Sequence, residues 1–146
     1  MSNLRTNLEA ISKKFNYKLN EFAPNKFSLD VALKLKDGSF RYQYVYVWEA
    51  PIGRDKKVCY YMNSRVGTYT PSVNLYNLMK EAAYGIYSMV AITTDKDKEG
   101  NPCETVIVQA APNVSYTNLD LLNDVIFEVA ANADLMEEKY FGGDRN

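Results

Sequence analysis

The stretch Lys26–Trp48, KFSLDVALKLKDGSFRYQYVYVW, decides the fold. Apolar side chains alternate with polar or small ones on both sides of Asp37-Gly38, a dipeptide typical of two-residue β-hairpin turns. A two-residue loop pairs Leu35 with Phe40, and the pairing continues to Phe27 and Trp48. This register puts every large side chain of the hairpin on one face, which we expect helices to bury: Phe27, Leu29, Val31, Leu33, Leu35, Phe40, Tyr42, Tyr44, Tyr46 and Trp48.

The rest of the chain predicts a short series of helices and strands around this hairpin. Helices are predicted over 3–15, 70–85 and 117–140, and further strands over 58–65, 86–93 and 103–110. The order α-β-β-β-α-β-β-α calls for an antiparallel sheet covered by helices, which is the α+β class. With no linker or repeat in the sequence, we expect residues 1–146 to form a single α+β domain.

The last two helices differ in how their apolar residues are distributed. The third has one apolar stripe, which extends from Leu119 to Tyr140 and predicts one buried face. The second is apolar over roughly 240° of the helical wheel, more than one buried face requires. Such a helix is either packed internally between two layers or used as a subunit interface. We favour the second and expect a homodimer that uses this helix as its interface. The predicted interface residues are Val73, Tyr76, Met79, Ala83 and Tyr84.

Apolar residues also occur on the opposite face of the predicted hairpin. Ala32, Val45 and Val47, extended by Tyr61, form this second apolar set. Cover by the first helix or by a dimer mate is one interpretation. The other is a groove in which an extended segment of a partner protein docks by strand addition or into side-chain pockets. We take these four residues as the candidate partner-binding site.

The element order and the last helix resemble the type III secretion chaperone-like fold and its YbjN-like relatives. The resemblance covers nearly the whole chain and rests on the following residues of the last helix and the segment after it: Leu122, Ile126, Val129, Ala130, Ala133, Asp134, Gly142, Gly143 and Asp144. It implies a homodimeric, acidic, non-enzymatic protein that binds an extended segment of another protein. It also implies that the second helix lies at or near the dimer contact.

The sequence offers little for catalysis or for metal binding. The chain has no histidine, which removes the commonest general base and metal ligand. Cys59 and Cys103 lack metal-ligand spacing, and we expect both to be reduced, with Cys59 as a small core residue. The run Asp95–Gly100 matches only the first half of a calcium loop, because its closing position is Val106. We expect no enzyme activity, no cofactor and no metal.

Charge is divided unevenly along the chain. Residues 1–80 hold 13 Lys and Arg against 6 Asp and Glu, whereas residues 81–146 hold 4 against 12. Attraction between the two halves within one fold is the simpler interpretation, and a charged binding surface is the other. Met1–Arg5 has no apolar signal region and no run is long enough to span a membrane, so we expect a cytoplasmic protein.

The alternative partner is nucleic acid. The segment Arg41–Tyr46 resembles the aromatic strand of an RNA-recognition sheet, and Lys34, Lys36 and Arg41 form a small basic patch near the turn. Three observations disfavour this alternative: the tyrosines are predicted to be buried, the element order differs from that module, and the net charge is −1. The preferred function is a non-enzymatic, chaperone-like or adaptor protein-binding module. The alternative is a nucleic-acid-associated regulator.

Overall fold

A computed structural model describes residues 3–142. The helices are α1 (Leu4–Phe15), α2 (Leu75–Ala82) and α3 (Leu119–Tyr140), with a single 3-10 turn at Val114–Tyr116. The strands are β1 (Lys18–Ala23), β2 (Lys26–Lys34), β3 (Phe40–Ile52), β4 (Lys57–Thr68), β5 (Met89–Lys96) and β6 (Pro102–Ala110). The strands form one antiparallel sheet in the order β1-β2-β3-β4-β6-β5. The predicted α+β class is confirmed.

The predicted element order lacked one strand. β1 pairs with β2 along the edge of the sheet, and its register shifts between Glu21 and Ala23. Its sequence, KLNEFA, carries too few apolar residues for alternation alone to identify a strand. Pairing with β2 supplies the backbone hydrogen bonds that the local sequence does not predict.

The hairpin between β2 and β3 has a register one residue away from the predicted one. Lys34 pairs with Phe40 and Leu29 with Val45. The loop contains three residues, because Leu35 N–H donates to the Ser39 carbonyl and Gly38 N–H donates back to the Leu35 carbonyl. Gly38 takes a φ of 87°, the left-handed conformation that a bulged three-residue hairpin loop requires. A one-residue shift moves every β3 side chain to the opposite face, so the predicted face of β3 is wrong. The β2 residues of that face are buried as predicted: Phe27, Leu29, Val31 and Leu33.

All three helices pack on one face of the sheet. The buried residues of α1, α2 and α3 belong to one core cluster that also contains Leu29 and Val31 of β2 and Val45 and Val47 of β3. The stripe predicted on α3 is the main apolar layer of this cluster, from Leu122 to Met136. Cys59 is buried, and both cysteines are free thiols.

Two polar residues of β3 on the helix-covered face, Gln43 and Arg41, form hydrogen bonds with specific partners. Gln43 is buried, and its amide donates to Ser64 Oγ and to the Arg65 carbonyl, both at 3.0 Å. Arg41 donates to Asp134 of α3 at 2.5 Å and to Glu138 at 2.8 Å. The guanidinium thus joins β3 to α3. Hydrogen bonding to Glu138 and Asp134 raises the pKa of Arg41 further above its already high value.

Two helix starts differ from the predictions. Thr70-Pro71 forms a turn, in which Val73 N–H donates to the Thr70 carbonyl. α2 begins only after Asn74, whose side chain accepts from Asn77 N–H, so the helix is shorter than the predicted 70–85. The capping residue of α3 is Asn118, so this helix begins at Leu119 and not at residue 117. Gly143 and Asp144, which the resemblance includes, lie outside the described residues.

Candidate functional site

The face of the sheet opposite the helices, which we call the open face, carries a row of aromatic side chains. In the observed register, alternate β3 residues point to this face. They form what we call the aromatic row: Phe40, Tyr42, Tyr44, Tyr46 and Trp48. Phe40, Tyr42 and Tyr44 are exposed, and Tyr46 and Trp48 are half-buried. The expectation that helices bury these residues is wrong.

Only part of the predicted partner-binding site lies on the open face. Ala32 pairs with Tyr42 and Tyr61 pairs with Trp48, so both share the face of the aromatic row. Val45 and Val47 are 0% exposed and belong to the core under the helices. Their assignment to a partner groove is therefore corrected, and the cause is the one-residue shift in hairpin register.

The open face holds two packed pairs of aromatic rings, Phe22 with Tyr46 and Trp48 with Tyr61, which together we call the aromatic cluster. Phe22 meets Tyr46 edge to face, with ring centres 5.5 Å apart. Trp48 and Tyr61 lie 5.1 Å apart at a tilt of 50°. Edge and offset arrangements of this kind are favourable for aromatic pairs. The cluster is a preformed apolar surface.

Polar groups continue the open face toward β5 and β6. Tyr61 Oη donates to Gln109 Oε1 at 2.9 Å, and Asn63 Nδ2 donates to Tyr61 Oη at 3.3 Å. Arg65 donates to Thr68 Oγ1 at 2.8 Å, and its Nη1 lies 3.9 Å from Asp95 Oδ2. These contacts hold the polar side chains in place beside the aromatic cluster.

A depression of about 550 Å³ joins the two regions. The four rings of the aromatic cluster line one side of it, and Asn63, Arg65 and Asp95 line the other, with Ile107 also in the lining. Ligand sites combine apolar walls with a few placed polar groups in this way. Sequence reasoning missed Phe22, Asn63, Arg65 and Ile107, because their shared location depends on the strand order and on the unpredicted strand β1.

The basic patch predicted beside the hairpin turn does not form as a unit. Arg41 lies on the helix-covered face, bound to Asp134 and Glu138 of α3. Lys34 shares the open face with Ala32 by strand alternation, and Lys36 lies in the loop. The predicted patch thus retains two lysines near the loop.

A second exposed apolar surface surrounds α2. Leu78 is the only buried residue of this helix, and most of the predicted interface residues are exposed: Tyr76, Met79, Ala83 and Tyr84. Val73 is half-buried. Ile86 and Tyr87 extend this surface toward β5. We call the whole set the α2 surface.

The segment Ile86–Ser88 of the α2 surface is held by one carboxylate of α3. Glu128 accepts hydrogen bonds from the backbone N–H groups of Ile86, Tyr87 and Ser88 at 3.0, 2.8 and 2.7 Å. Burial alone would raise the pKa of Glu128, but its hydrogen bonds to Ser88, Tyr87 and Ile86 together outweigh burial and lower it. The segment is thus fixed in place by a charged acceptor.

Glu128→Gln is expected to destabilise the fold by about 1–2 kcal/mol at pH 7, because an amide accepts through only one of its two polar atoms. Since the folded state lowers the pKa of Glu128, the carboxylate stabilises most above the ordinary glutamate pKa of 4.5 and less as pH falls through the folded value. Urea unfolding of both proteins at pH 7 and pH 3 checks this. If the free energy of unfolding differed between the wild type and Glu128→Gln by the same amount at both pH values, the Glu128 carboxylate would not be what holds the segment Ile86–Ser88.

Comparisons with known proteins identify no relative. No family model matches the chain, and the comparisons with curated proteins and with solved structures find no significant match. Within residues 3–142, no three His, Cys, Asp or Glu side chains form a group that could hold a metal ion. No helix in the same range is long and apolar enough to cross a membrane.

Proposed function

We propose that the protein is a non-enzymatic protein-binding module, chaperone-like or adaptor in type, that binds an extended segment of a partner protein as a homodimer. The observation that carries this proposal is the open face with its aromatic row and depression. Antiparallel sheets that face water usually present polar side chains, whereas this one presents a central strand of aromatic residues. Exposed apolar patches of this kind mark sites of interaction with other molecules.

The shape of the open face suits an extended chain. The row follows a single strand, so its side chains are spaced about 6.8 Å apart, which is also the spacing of alternate residues in an extended peptide. Aromatic residues are favoured at protein interfaces because they combine a large apolar area with few rotatable bonds. A partner segment lying along β3 can therefore place successive side chains between the rings of the aromatic row.

A binding assay with matched variants tests the location of the site. Tyr42→Ser with Tyr44→Ser removes two rings that are 54% and 48% exposed, and Leu135→Ser with Phe127→Ser on α3 removes two residues that are 53% and 46% exposed. Partner recovery from a nuclease-treated lysate is expected to fall at least tenfold for the first pair and to stay unchanged for the second. Equal recovery with both pairs would place the site elsewhere.

The homodimer is proposed to form through the α2 surface. This surface is apolar, exposed and separate from the open face, so dimerisation leaves the open face free for a partner. Tyr76→Glu is expected to give a folded monomer, because a charge there would be buried without a partner in the dimer. Tyr116→Glu is the control, since Tyr116 is 83% exposed and Tyr76 is 73% exposed.

Light scattering and circular dichroism distinguish the outcomes of this substitution. We expect the molar mass in solution to be halved for Tyr76→Glu and unchanged for Tyr116→Glu. The circular dichroism spectrum of both variants should match that of the wild type. A dimer that tolerates Tyr76→Glu, or a wild-type protein that is already a monomer at micromolar concentration, would remove the α2 surface from the proposal.

Nucleic acid is the second candidate, favoured by the exposure of Tyr42 and Tyr44. Aromatic rings on an uncovered sheet can stack on bases, so the burial argument against this partner no longer holds. The net charge of −1 still disfavours it. The open face itself carries basic as well as acidic strand residues, but a nucleic acid has a phosphate at every nucleotide and would bring phosphates close to Asp30 and Asp95.

A further inference from the structure

We infer that the partner segment is acidic, with Asp or Glu residues flanking an aromatic residue that enters the depression. This inference rests on the proposed function and specifies the chemistry of the partner. It follows from the charges around the open face, which differ from the charge of the chain as a whole.

The strand residues that share the open face are mainly basic. Strand pairing places two groups of charged residues there, the acidic Asp30 and Asp95 and the basic Lys18, Lys26, Lys34, Lys57 and Arg65. The side that carries the helices has the opposite excess, since α3 contains six acidic residues and a single lysine, whereas α1 contains three basic residues and one glutamate. The uneven charge along the sequence therefore becomes a difference between the two sides of the sheet. Opposite charges on the two partners favour association and suppress wrong partners.

Basic groups lie on both sides of the aromatic cluster. On one side, Lys26 Nζ is 5.0 Å from the centre of the Trp48 ring. The β3–β4 hairpin extends beyond this point and carries Arg54, Lys56 and Lys57 at its exposed tip, with Asp55 the one acidic residue there. Lys57 lies four residues along β4 from Tyr61, which is about 13 Å in a strand. Arg65 lies four residues from Tyr61 in the other direction.

These positions define the pattern of the segment. A segment lying over β3 also passes beside the neighbouring strand β4, and from Lys57 to Arg65 it needs about eight residues, at about 3.3 Å each. Its central aromatic residue would occupy the depression beside the aromatic cluster. Its acidic residues would lie mainly at the end near Arg54 and Lys57 of the hairpin tip, because at the other end Arg65 is already 3.9 Å from Asp95. Unlike a polyphosphate, a peptide can carry neutral residues where it passes Asp30 or Asp95.

Selection from a library of random twelve-residue peptides on the wild-type protein tests the inference. Selected peptides are expected to be enriched in Asp and Glu around Trp, Phe or Tyr, and not in Lys or Arg. The consensus peptide is then labelled, and its Kd is measured by fluorescence anisotropy at low and high salt. We expect weaker binding at high salt, because exposed charges are screened.

Charge-reversal variants locate the basic groups involved. Arg54→Glu with Lys57→Glu is expected to weaken binding of the consensus peptide about tenfold or more. The matched control is Lys13→Glu with Lys14→Glu, two exposed lysines of α1 on the far side of the sheet, which is expected to leave Kd unchanged. Each variant replaces two exposed basic side chains by glutamate, so both change the net charge by the same amount.

The outcomes separate the inference from the proposed function. Peptides selected without acidic enrichment, whose binding is lost in Tyr42→Ser with Tyr44→Ser, would overturn the acidic chemistry and leave the protein-binding function standing. Equal loss in both charge variants would also overturn it, since the effect would be one of net charge. A selection that yields no specific peptide would overturn both. Tight binding of oligothymidylate in that case would assign the open face to nucleic acid.

Discussion

Val45→Asp is expected to unfold the protein, whereas Tyr42→Asp on the same strand is expected to leave it folded. Val45 is 0% exposed and lies in the core beneath the helices, opposite Leu29 of β2. An aspartate there would be buried with no hydrogen-bond partner, which costs several kcal/mol. That cost is comparable with the whole stability of a domain, which is typically about 5–15 kcal/mol. Tyr42 is 54% exposed on the open face, so a carboxylate there stays in water.

Circular dichroism and urea unfolding at pH 7 measure both variants. We expect Val45→Asp to lose the cooperative unfolding transition. For Tyr42→Asp we expect the free energy of unfolding to change by less than about 1 kcal/mol. Val47→Asp should behave like Val45→Asp, since Val47 is equally buried. If Val45→Asp folded and Tyr42→Asp did not, the result would contradict the observed register and support the predicted one, in which the tyrosines face the helices.

Arg41→Leu is expected to cost about 2–3 kcal/mol of stability, because it leaves the Asp134 carboxylate without its cation. The Arg41 side chain is 21% exposed and that of Asp134 is 13% exposed, so water compensates for the lost partner only in part. Arg41→Leu combined with Asp134→Leu should recover part of this loss, and a double-mutant cycle measures the coupling. Arg5→Leu is the control: it breaks a pair with Glu21 whose side chains are 51% and 33% exposed, and should cost clearly less stability than Arg41→Leu.

Glu138 gives an independent readout of the same contact. The hydrogen bond from Arg41 lowers the pKa of Glu138, so Arg41→Leu should return that pKa toward the ordinary value for glutamate. NMR titration of the Glu138 carboxyl measures this directly. An unchanged pKa, or a stability loss no larger than that of Arg5→Leu, would show that Arg41 does not join β3 to α3.

The local sequence was sufficient to predict those helices and strands whose apolar residues repeat with one clear period. The α3 stripe predicted the residues that are buried, from Leu122 to Met136, because a helix repeats every 3.6 residues whatever it packs against. The hairpin was recognised for the same reason, by alternation around Asp37-Gly38. β1 was missed because its pattern is weak and its hydrogen bonds come from β2.

The predicted hairpin register is wrong because both faces of β3 contain apolar residues. The pattern predicted that Tyr42 and Tyr44 are buried and that Arg41 and Gln43 face solvent. In the structure Gln43 donates to Ser64 and to the Arg65 carbonyl, and Arg41 donates to Asp134 and Glu138. Those partners are 21 to 97 residues away in sequence, so no local pattern reveals them.

The sequence by itself determined the α+β class, the helix-forming faces of α1 and α3, and the position of the hairpin, since these depend on side-chain period and turn chemistry within short segments. Only the tertiary structure decided which face of β3 meets water, and with it the site. Gly38 permits a three-residue loop as readily as a two-residue one. The three-residue loop is favoured because it buries Val45 and Val47 and because Gln43 and Arg41 find partners on the helix-covered face. The one additional loop residue places the aromatic row on the open face.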